Sequence, residues 1–238
     1  MYNVHKVMAT IAEKMDGVHM NQKTGDASLV PPARSTYRHG DLRRALLEAG
    51  VELARQGGPE AVVLREATRR AGVVPNAAYR HFASRQALLL AVRAASLAAA
   101  ATAMEGELAA VPQEGSPAER ARAAVRAIGA GYLRFALDQT GLFRTAFGGP
   151  VDVVDQTGGE AKGGASGLNP FELLGAAIDQ MVAAGVLPPE RRPGAEYLAW
   201  AAVHGLALLI IDGPLRGASR DETEALGLRL LQMVEKGL

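Results

Sequence analysis

The sequence predicts an all-α fold of about nine helices, and three observations support this prediction. Apolar residues recur at the spacing of one helix face, as Leu42, Leu46 and Leu53 do. Ala and Leu are abundant, whereas aromatic residues make up only 5% of the 238 residues. Segments in which β-branched and polar residues alternate, which would favour strands, are few.

The first part of the chain is expected to contain a mobile arm followed by two helices. Residues 1–36 hold no sustained apolar period and end in "PPARST", so we predict that they form the arm. The first helix is expected over residues 41–56, with Asp41 capping its free amides and "GGP" ending it. A second, short helix should follow and end at the tight turn in "AGV", where Gly72 can take a positive φ.

The rest of the chain alternates helical periods with breaks that contain Pro and Gly. A brief third helix should begin at Pro75, and Ser84 is the candidate N-cap of a long Ala-rich helix that extends towards Glu107. The Gly-rich residues 148–169 have no apolar period and are predicted to form a flexible loop. Further helices are expected at about 117–139, in "GLFRTAF", and at about 170–185, 194–212 and 221–236.

Charge is unevenly distributed, although the formal net charge of the whole chain is only +1. Residues 34–95 contain 11 Arg, no Lys and five Asp or Glu, a net charge of +6. Residues 96–238 carry a net charge of −5. The basic block fits a nucleic-acid-binding surface or an ordinary solvated surface, and charge alone leaves both interpretations open.

The composition argues against several classes of site. The absence of Cys excludes disulfides, thiolate zinc sites and thiol catalysis, and it fits a cytoplasmic protein. No apolar run reaches the roughly 18 residues of a membrane span, and no signal peptide is recognisable, so no membrane partner is expected. The chain lacks the nucleophile-elbow, phosphate-loop, HExxH and paired-carboxylate signatures. The sequence therefore predicts no enzyme, no cofactor and no metal.

The stretch "GVVPNAAYRHFASRQALL", residues 72–89, is the candidate functional element. On a helix over residues 75–82, Phe82 and Ala78 would point towards the preceding helices. Asn and Arg side chains can bond adenine and guanine edges in the major groove of DNA. The face opposite Phe82 carries Asn76, Ala77 and Arg80.

Three neighbouring residues are candidates for contacts with phosphate. Tyr79 and His81 lie on the flanks of this predicted helix, where a phosphate contact would position it on DNA. Arg85 stands at the start of the next helix, where a cation is disfavoured by the helix dipole unless an anion is near. A small helix with a polar, solvated face would show the same pattern, so that interpretation stays open.

The segments "RHGDLRRALLEAGVELARQGGPEAVVLREATRRAGV" and "AAYRHFASRQALLLAV" contain a specific combination of features. They join "AGV", a Tyr and a Phe three residues apart, and a basic residue and Leu at the start of a long helix. Residues 38–95 thereby resemble the N-terminal domain of TetR/AcrR-family transcriptional regulators. The resemblance implies a helix-turn-helix domain over residues 37–83. The DNA-binding residues it implies are Arg38, Asn76, Ala77, Tyr79, Arg80, His81 and Arg85.

Two positions depart from the family pattern. Family members usually have Ser or Thr where this chain has Val63 and Val74, ahead of the second and third helices. A hydroxyl there would cap the helix, and a missing cap costs about 1 kcal/mol. Phosphate contacts at these two positions are therefore not expected.

The segment "AWAAVHGLALLIIDG" contains Trp200, His204 and Gly205 in the pattern W-x-x-x-H-G. Together with "GLFRTAF", it resembles the C-terminal domain of the WHG type of TetR regulators. The resemblance implies an effector-binding and dimerisation domain over residues 84–238. Trp200 and His204 are four residues apart and share a helix face. His204 could polarise a ligand or be a satisfied core or interface histidine.

A ligand pocket is expected among the middle helices. An apolar lining would select a small apolar or amphipathic effector. An aromatic cluster of this kind also fits an ordinary hydrophobic core, and both interpretations stay open. The candidate lining residues are Tyr132, Phe135, Phe143, Phe147, Met181, Trp200 and His204.

These features predict a ligand-responsive DNA-binding regulator, a repressor by family frequency. The resemblance implies a homodimer, formed by the last two long helices of each chain, that binds an inverted repeat in double-stranded DNA. An unknown small-molecule effector would release the DNA. A helical interaction module that has lost DNA binding is the alternative, which Val63 and Val74 keep open, and an all-α enzyme is a weaker one.

Overall fold

A computed structural model describes residues 39–148 and 163–238 of the chain. Over these two ranges the protein forms nine α-helices and no strand, which confirms the all-α prediction. The predicted arm, Arg38 and most of the predicted loop lie outside the described residues. The helices, numbered α1 to α9, are His39–Gly57, Leu64–Arg70, Pro75–Ala78, Arg85–Ala109, Pro117–Asp138, Thr140–Phe147, Pro170–Ala183, Ala195–Ile211 and Arg220–Gly237.

The first three helices form a small unit with its own apolar side. α1 begins two residues before its predicted start, so Asp41 lies in the first turn rather than at the cap. Gly72 takes the predicted positive φ, 68°, in the turn between α2 and α3. The core of this unit contains six side chains that are each at most 5% exposed: Leu46, Leu53, Val62, Ala67, Ala78 and Phe82.

The predicted helix over residues 75–82 is wrong in length, because α3 ends at Ala78. The amides of His81 and Phe82 both donate to the Ala78 carbonyl at 2.9 Å, so the chain continues in tight turns. Ser84, the predicted cap of α4, has an extended backbone (φ −155°, ψ 167°) and accepts from the Ala87 amide, so it sets the outer limit of any helix that begins at Pro75. A helix cannot run unbroken into an extended residue.

α4 is the central helix, and its inner positions Leu88, Val92 and Met104 are almost fully buried. By length and composition it could cross a membrane, contrary to the expectation from contiguous apolar runs. One such helix is weak support for a membrane protein, because the core helix of a soluble protein passes the same test. Just under half of its most apolar window, 44%, is buried inside the protein.

α5, α6 and α7 pack against α4, and α8 and α9 pack against α5 and against each other. At Gly131 a Cβ would come within 2.6 Å of the Met104 Cα, so α5 can approach α4 only without a side chain there. α5, α7 and α9 each begin with a capping box, in which a polar residue and a Glu three residues later bond each other's backbone amides. α8 and α9 form the outer layer.

The end of the predicted flexible loop is held in place. Glu105 of α4 is 4% exposed, and its carboxylate accepts hydrogen bonds from the Ala165 and Ser166 amides at 2.7 and 2.9 Å. The Ser166 hydroxyl donates to the same carboxylate at 2.5 Å. Residues 163–169 therefore form an anchored segment that leads into α7, which the prediction of a flexible loop did not foresee.

Candidate DNA-binding interface and effector site

The reading element, defined here as residues 74–82, has the two-sided character that the sequence predicted. Asn76 and Arg80 are exposed, and Ala77 is half-buried. On the inner side, Ala78 is fully buried and Phe82 is 2% exposed. The guanidinium of Arg43 in α1 lies 5.1 Å from the centre of the Phe82 ring, so the element is fixed against α1. Polar groups that can bond bases are thus presented on a rigid support.

The flanking residues are accessible to different degrees. Tyr79 is 57% exposed, and His81 is half-buried. The structure therefore leaves the Tyr79 hydroxyl free to approach a DNA backbone, as predicted, and the phosphate contacts of both residues stay predictions.

Arg85 has protein partners that the sequence did not reveal. Its guanidinium donates to the carbonyls of Val62 and Pro59, each at 2.8 Å, and lies 3.3 Å from a Glu60 carboxylate oxygen. These bonds tie the start of α4 to the turn before α2. These bonds explain why a cation is stable at this helix N-terminus without a phosphate, so the predicted need of Arg85 for a nearby phosphate is wrong. Contact of Arg85 with DNA stays a prediction.

The two predicted cap defects are visible in the helix-turn-helix unit. Val63 precedes α2 with an extended backbone, makes no side-chain cap and is 42% exposed. Val74 immediately precedes α3 and is 68% exposed. Ser84, by contrast, accepts from the Ala87 amide at 3.1 Å and caps α4.

The positive charge of α2 is partly compensated on its own helix. Glu66 accepts hydrogen bonds from Arg69 and Arg70, and these bonds hold the pKa of its carboxyl at about 2. Arg65 and Arg80 are exposed on the same unit.

The candidate effector site is a cluster of aromatic rings centred on Tyr132 of α5. Its ring lies 5.8 Å from that of Phe143, 5.5 Å from that of Phe147 and 5.1 Å from that of Trp200, measured between ring centres. Phe171 of α7 extends this aromatic cluster, at 5.8 Å from Trp200. Such spacings are typical of attractive edge-to-face and offset ring pairs.

A single hydrogen bond crosses the aromatic cluster. The Tyr132 hydroxyl lies 2.8 Å from Nδ1 of His204. Burial lowers the pKa of His204 and raises the pKa of Tyr132, so both groups are neutral near pH 7. Either the Tyr132 hydroxyl donates to Nδ1 or Nδ1–H donates to the Tyr132 oxygen, according to the histidine tautomer. Nδ1 of His204 therefore has a hydrogen-bond partner within the protein.

Five of the seven predicted pocket residues meet in this aromatic cluster, and two do not. Phe135 and Met181 are buried in the core, at 3% and 1% exposure. A cavity of about 20 Å³ lies beside Tyr132 and Trp200, which is room for a single water molecule. The other residues that line this cavity were not predicted, because the sequence pattern of an apolar residue in a cavity wall is the same as that of an ordinary core residue. These walls include Met104, Val125, Ile128, Leu174, Val203 and Leu231.

Burial of His204 makes the stability of the fold depend on pH. The pKa of His204 is lowered from its ordinary 6.5, so below that pH the unfolded chain binds more protons than the folded one. We expect the melting temperature to fall between about pH 7.5 and pH 5, and to fall less in His204→Gln. Melting curves of both proteins across this range test the expectation. Equal slopes for the two proteins would contradict it.

An apolar surface covers the outer side of α8 and continues onto α9. α8 is apolar on all sides, yet Leu198, Leu208 and Leu209 are 67%, 42% and 44% exposed. On α9, Met233 is 60% exposed, while Leu226 and Leu230 are half-buried. A helix that is apolar all round is normally buried. This α8–α9 face is therefore suited to covering by another protein surface.

The described residues contain no group of three or more His, Asp or Glu side chains that could hold a metal ion.

Two family models match the chain and together cover well over half of it. Residues 46–92 match the model described as bacterial regulatory proteins, TetR family. Residues 125–234 match the model described as tetracyclin repressor-like, C-terminal domain. No curated protein matches the sequence.

Several solved structures share the fold, and some of them are transcriptional regulators. A protein with unknown function from Rhodococcus sp. RHA1 is 28% identical, with a TM-score of 0.65, over 86% of this chain and 99% of that one. A TetR-family transcriptional regulator from Pectobacterium atrosepticum is 20% identical, with a TM-score of 0.57, over 86% and 97%. The regulator FadR from Bacillus subtilis, in complex with stearoyl-CoA, is 12% identical, with a TM-score of 0.59, over 82% and 98%.

Both family models agree with the geometry. The N-terminal match contains the reading element, and the C-terminal match contains the aromatic cluster and nearly all of the α8–α9 face. The C-terminal model does not specify the WHG type, which stays a resemblance. Both matched domains are those of a transcription factor rather than an enzyme, as the sequence predicted. The chain belongs to the TetR family of bacterial regulatory proteins.

Proposed function

We propose that the protein is a homodimeric repressor that binds an inverted repeat in DNA and releases it when a small apolar or amphipathic effector binds. The observation that carries this proposal is the two-sided reading element, with Asn76 and Arg80 exposed and Phe82 buried against α1. Residues 37–83 would be the DNA-binding domain and residues 84–238 the effector and dimerisation domain. A regulator that binds DNA in a bacterium would act in the cytoplasm.

The α8–α9 face supports the homodimer. TetR-family regulators dimerise, and this face exposes leucines on a helix whose first turn holds its one Glu, Glu196, and whose centre holds His204. Pairing α8 and α9 of two chains would make a four-helix bundle and remove these leucines from water. The interface would be the same patch on both chains, as two-fold symmetry requires.

The closed aromatic cluster supports a two-state response to an effector. A cavity of about 20 Å³ admits no organic ligand, so an effector must part the rings around Tyr132. A ligand that binds only the opened cluster shifts the protein towards that state. FadR from Bacillus subtilis, which shares this fold, forms a complex with stearoyl-CoA, an amphipathic molecule.

α6 is the element that can transmit the opening to the DNA-binding domain. Phe143 and Phe147 of α6 belong to the aromatic cluster. At the other end of α6, Gly141 packs against the carbonyls of Ala54 and Arg55 in α1. Arg144 also pairs with Asp212 at the end of α8. A displaced α6 would therefore move α1, and with it the reading element.

Selection of bound duplexes from a random DNA pool tests the proposal. We expect enrichment of an inverted repeat whose half-sites lie about one helical turn or somewhat more apart. The affinity should fall steeply with salt, since phosphate contacts release counterions. A helical interaction module without DNA binding would enrich nothing, and that result would end the proposal.

Leu209→Asp is expected to convert the homodimer into monomers. Two-fold pairing places this residue and its copy in one apolar interface, where two unpaired carboxylates would be strongly unfavourable. Sedimentation or light scattering measures the mass of each variant. Leu90→Asp, which changes a leucine that is 54% exposed on α4, is the matched control and should stay dimeric. A Leu209→Asp dimer would show that the interface lies elsewhere.

A further inference from the structure

The reading element exposes a hydrocarbon side chain where the free protein gains nothing from it. Val74 is 68% exposed, more than any other large apolar side chain described. It immediately precedes α3, and its carbonyl accepts a hydrogen bond from the Ala77 amide at 3.0 Å. Valine at this position has no side-chain oxygen for the free amides of the helix start. The residue is thus unfavourable both as a cap and as exposed surface.

DNA offers one group that would cover the exposed hydrocarbon surface of Val74. The first residues of a helix-turn-helix reading helix are the ones that meet base edges in the major groove. Among the bases, only thymine presents a methyl group there, and apolar side chains recognise it by contact. Val74 carries two methyl groups at this leading end, two residues before the exposed Asn76.

We propose that Val74 is a specificity residue that selects a thymine in each half-site through contact with its 5-methyl group. The inference rests on the proposed DNA-binding function and deepens it. The contact buries methyl groups of both partners and needs no hydrogen bond. The selected thymine lies next to the bases that Asn76 and Arg80 meet.

Val63 provides the internal comparison. It is also an exposed valine, at 42%, and it also precedes a helix without capping it. It stands at the start of α2, however, and the first helix of a helix-turn-helix crosses the DNA backbone rather than reading bases. The contribution of a thymine methyl group to the affinity should therefore depend on Val74 and not on Val63.

Deoxyuridine scanning of the selected operator tests the inference. Each thymine is replaced in turn by deoxyuridine, which removes only the methyl group, and the affinity of the full-length dimer is measured. We expect a loss of about fourfold at one symmetric position per half-site, since that is what burial of one methyl group contributes. Val74→Ala should bind the operator but show a clearly smaller loss at that position, because its shorter side chain buries less of the thymine methyl group. Val63→Ala should behave like the original protein.

A second variant separates recognition from stability. Val74→Ser supplies the missing cap, so it should raise the melting temperature while lowering the sensitivity to deoxyuridine. A protein that binds its operator with no sensitivity to deoxyuridine overturns the inference, as does a Val74→Ala variant that keeps the full sensitivity. Failure to enrich any operator would instead overturn the proposed function itself.

Discussion

Replacement of Arg80 by Ala is expected to abolish sequence-selective DNA binding and to leave the fold unchanged. Arg80 is exposed near the end of the reading element, where its guanidinium can bond a guanine edge with two hydrogen bonds. Each such pair contributes about 1–3 kcal/mol of discrimination, and a homodimer makes it twice. The affinity for the selected operator should fall by about 30-fold or more, with little change for random duplex.

The matched control for Arg80→Ala is Arg65→Ala. Arg65 is also exposed, but it lies on α2 and not on the reading element. Its replacement by Ala therefore removes the same charge from a different helix of the helix-turn-helix unit. A phosphate contact there would lower the affinity for all sequences alike and reduce the salt dependence. The ratio of operator affinity to random-duplex affinity therefore distinguishes the two variants. If both keep the same ratio, Arg80 reads no base.

The sequence sufficed for the fold because helix periods and their breaks are local signals. The "GGP" after α1, the positive φ of Gly72 and the Ser84 cap act within a few residues, and each was confirmed. The length of α3 could not be predicted from helical spacing alone. The predicted Ser84 cap sets only the outer limit of this helix, and the turns that begin after Ala78 have no separate signal in the residue types.

The sites were predictable only where side-chain type and local spacing decide. Exposure of Asn76 and burial of Phe82 follow from a few residues of spacing, and both were foreseen. The role of Arg85 was not, because its carbonyl partners come from Pro59 and Val62, more than twenty residues earlier. Most walls of the cavity beside Tyr132 were not predicted for the same reason, since they come from five different helices.

Gly141→Ala is expected to disturb the junction between the helix-turn-helix unit and the rest of the protein. A Cβ at this position would lie 2.2 Å from the Ala54 carbonyl oxygen and 2.5 Å from that of Arg55. Both atoms belong to the backbone of α1, so no side chain can move aside. Overpacking of this kind costs about 1–3 kcal/mol or somewhat more. For a chain of this length the melting temperature should fall by several degrees.

Gly106→Ala makes the same chemical change in α4 and has the opposite expected sign. Nothing lies within 4 Å of the added Cβ, so only the gain in helix propensity remains, about 0.5–1 kcal/mol. Calorimetry of the two variants should therefore give shifts of opposite direction. Because α6 joins the aromatic cluster to α1, Gly141→Ala should also weaken operator binding at temperatures where the protein is folded, and Gly106→Ala should not. Unchanged operator affinity in folded Gly141→Ala would mean that α6 does not set the position of the reading element.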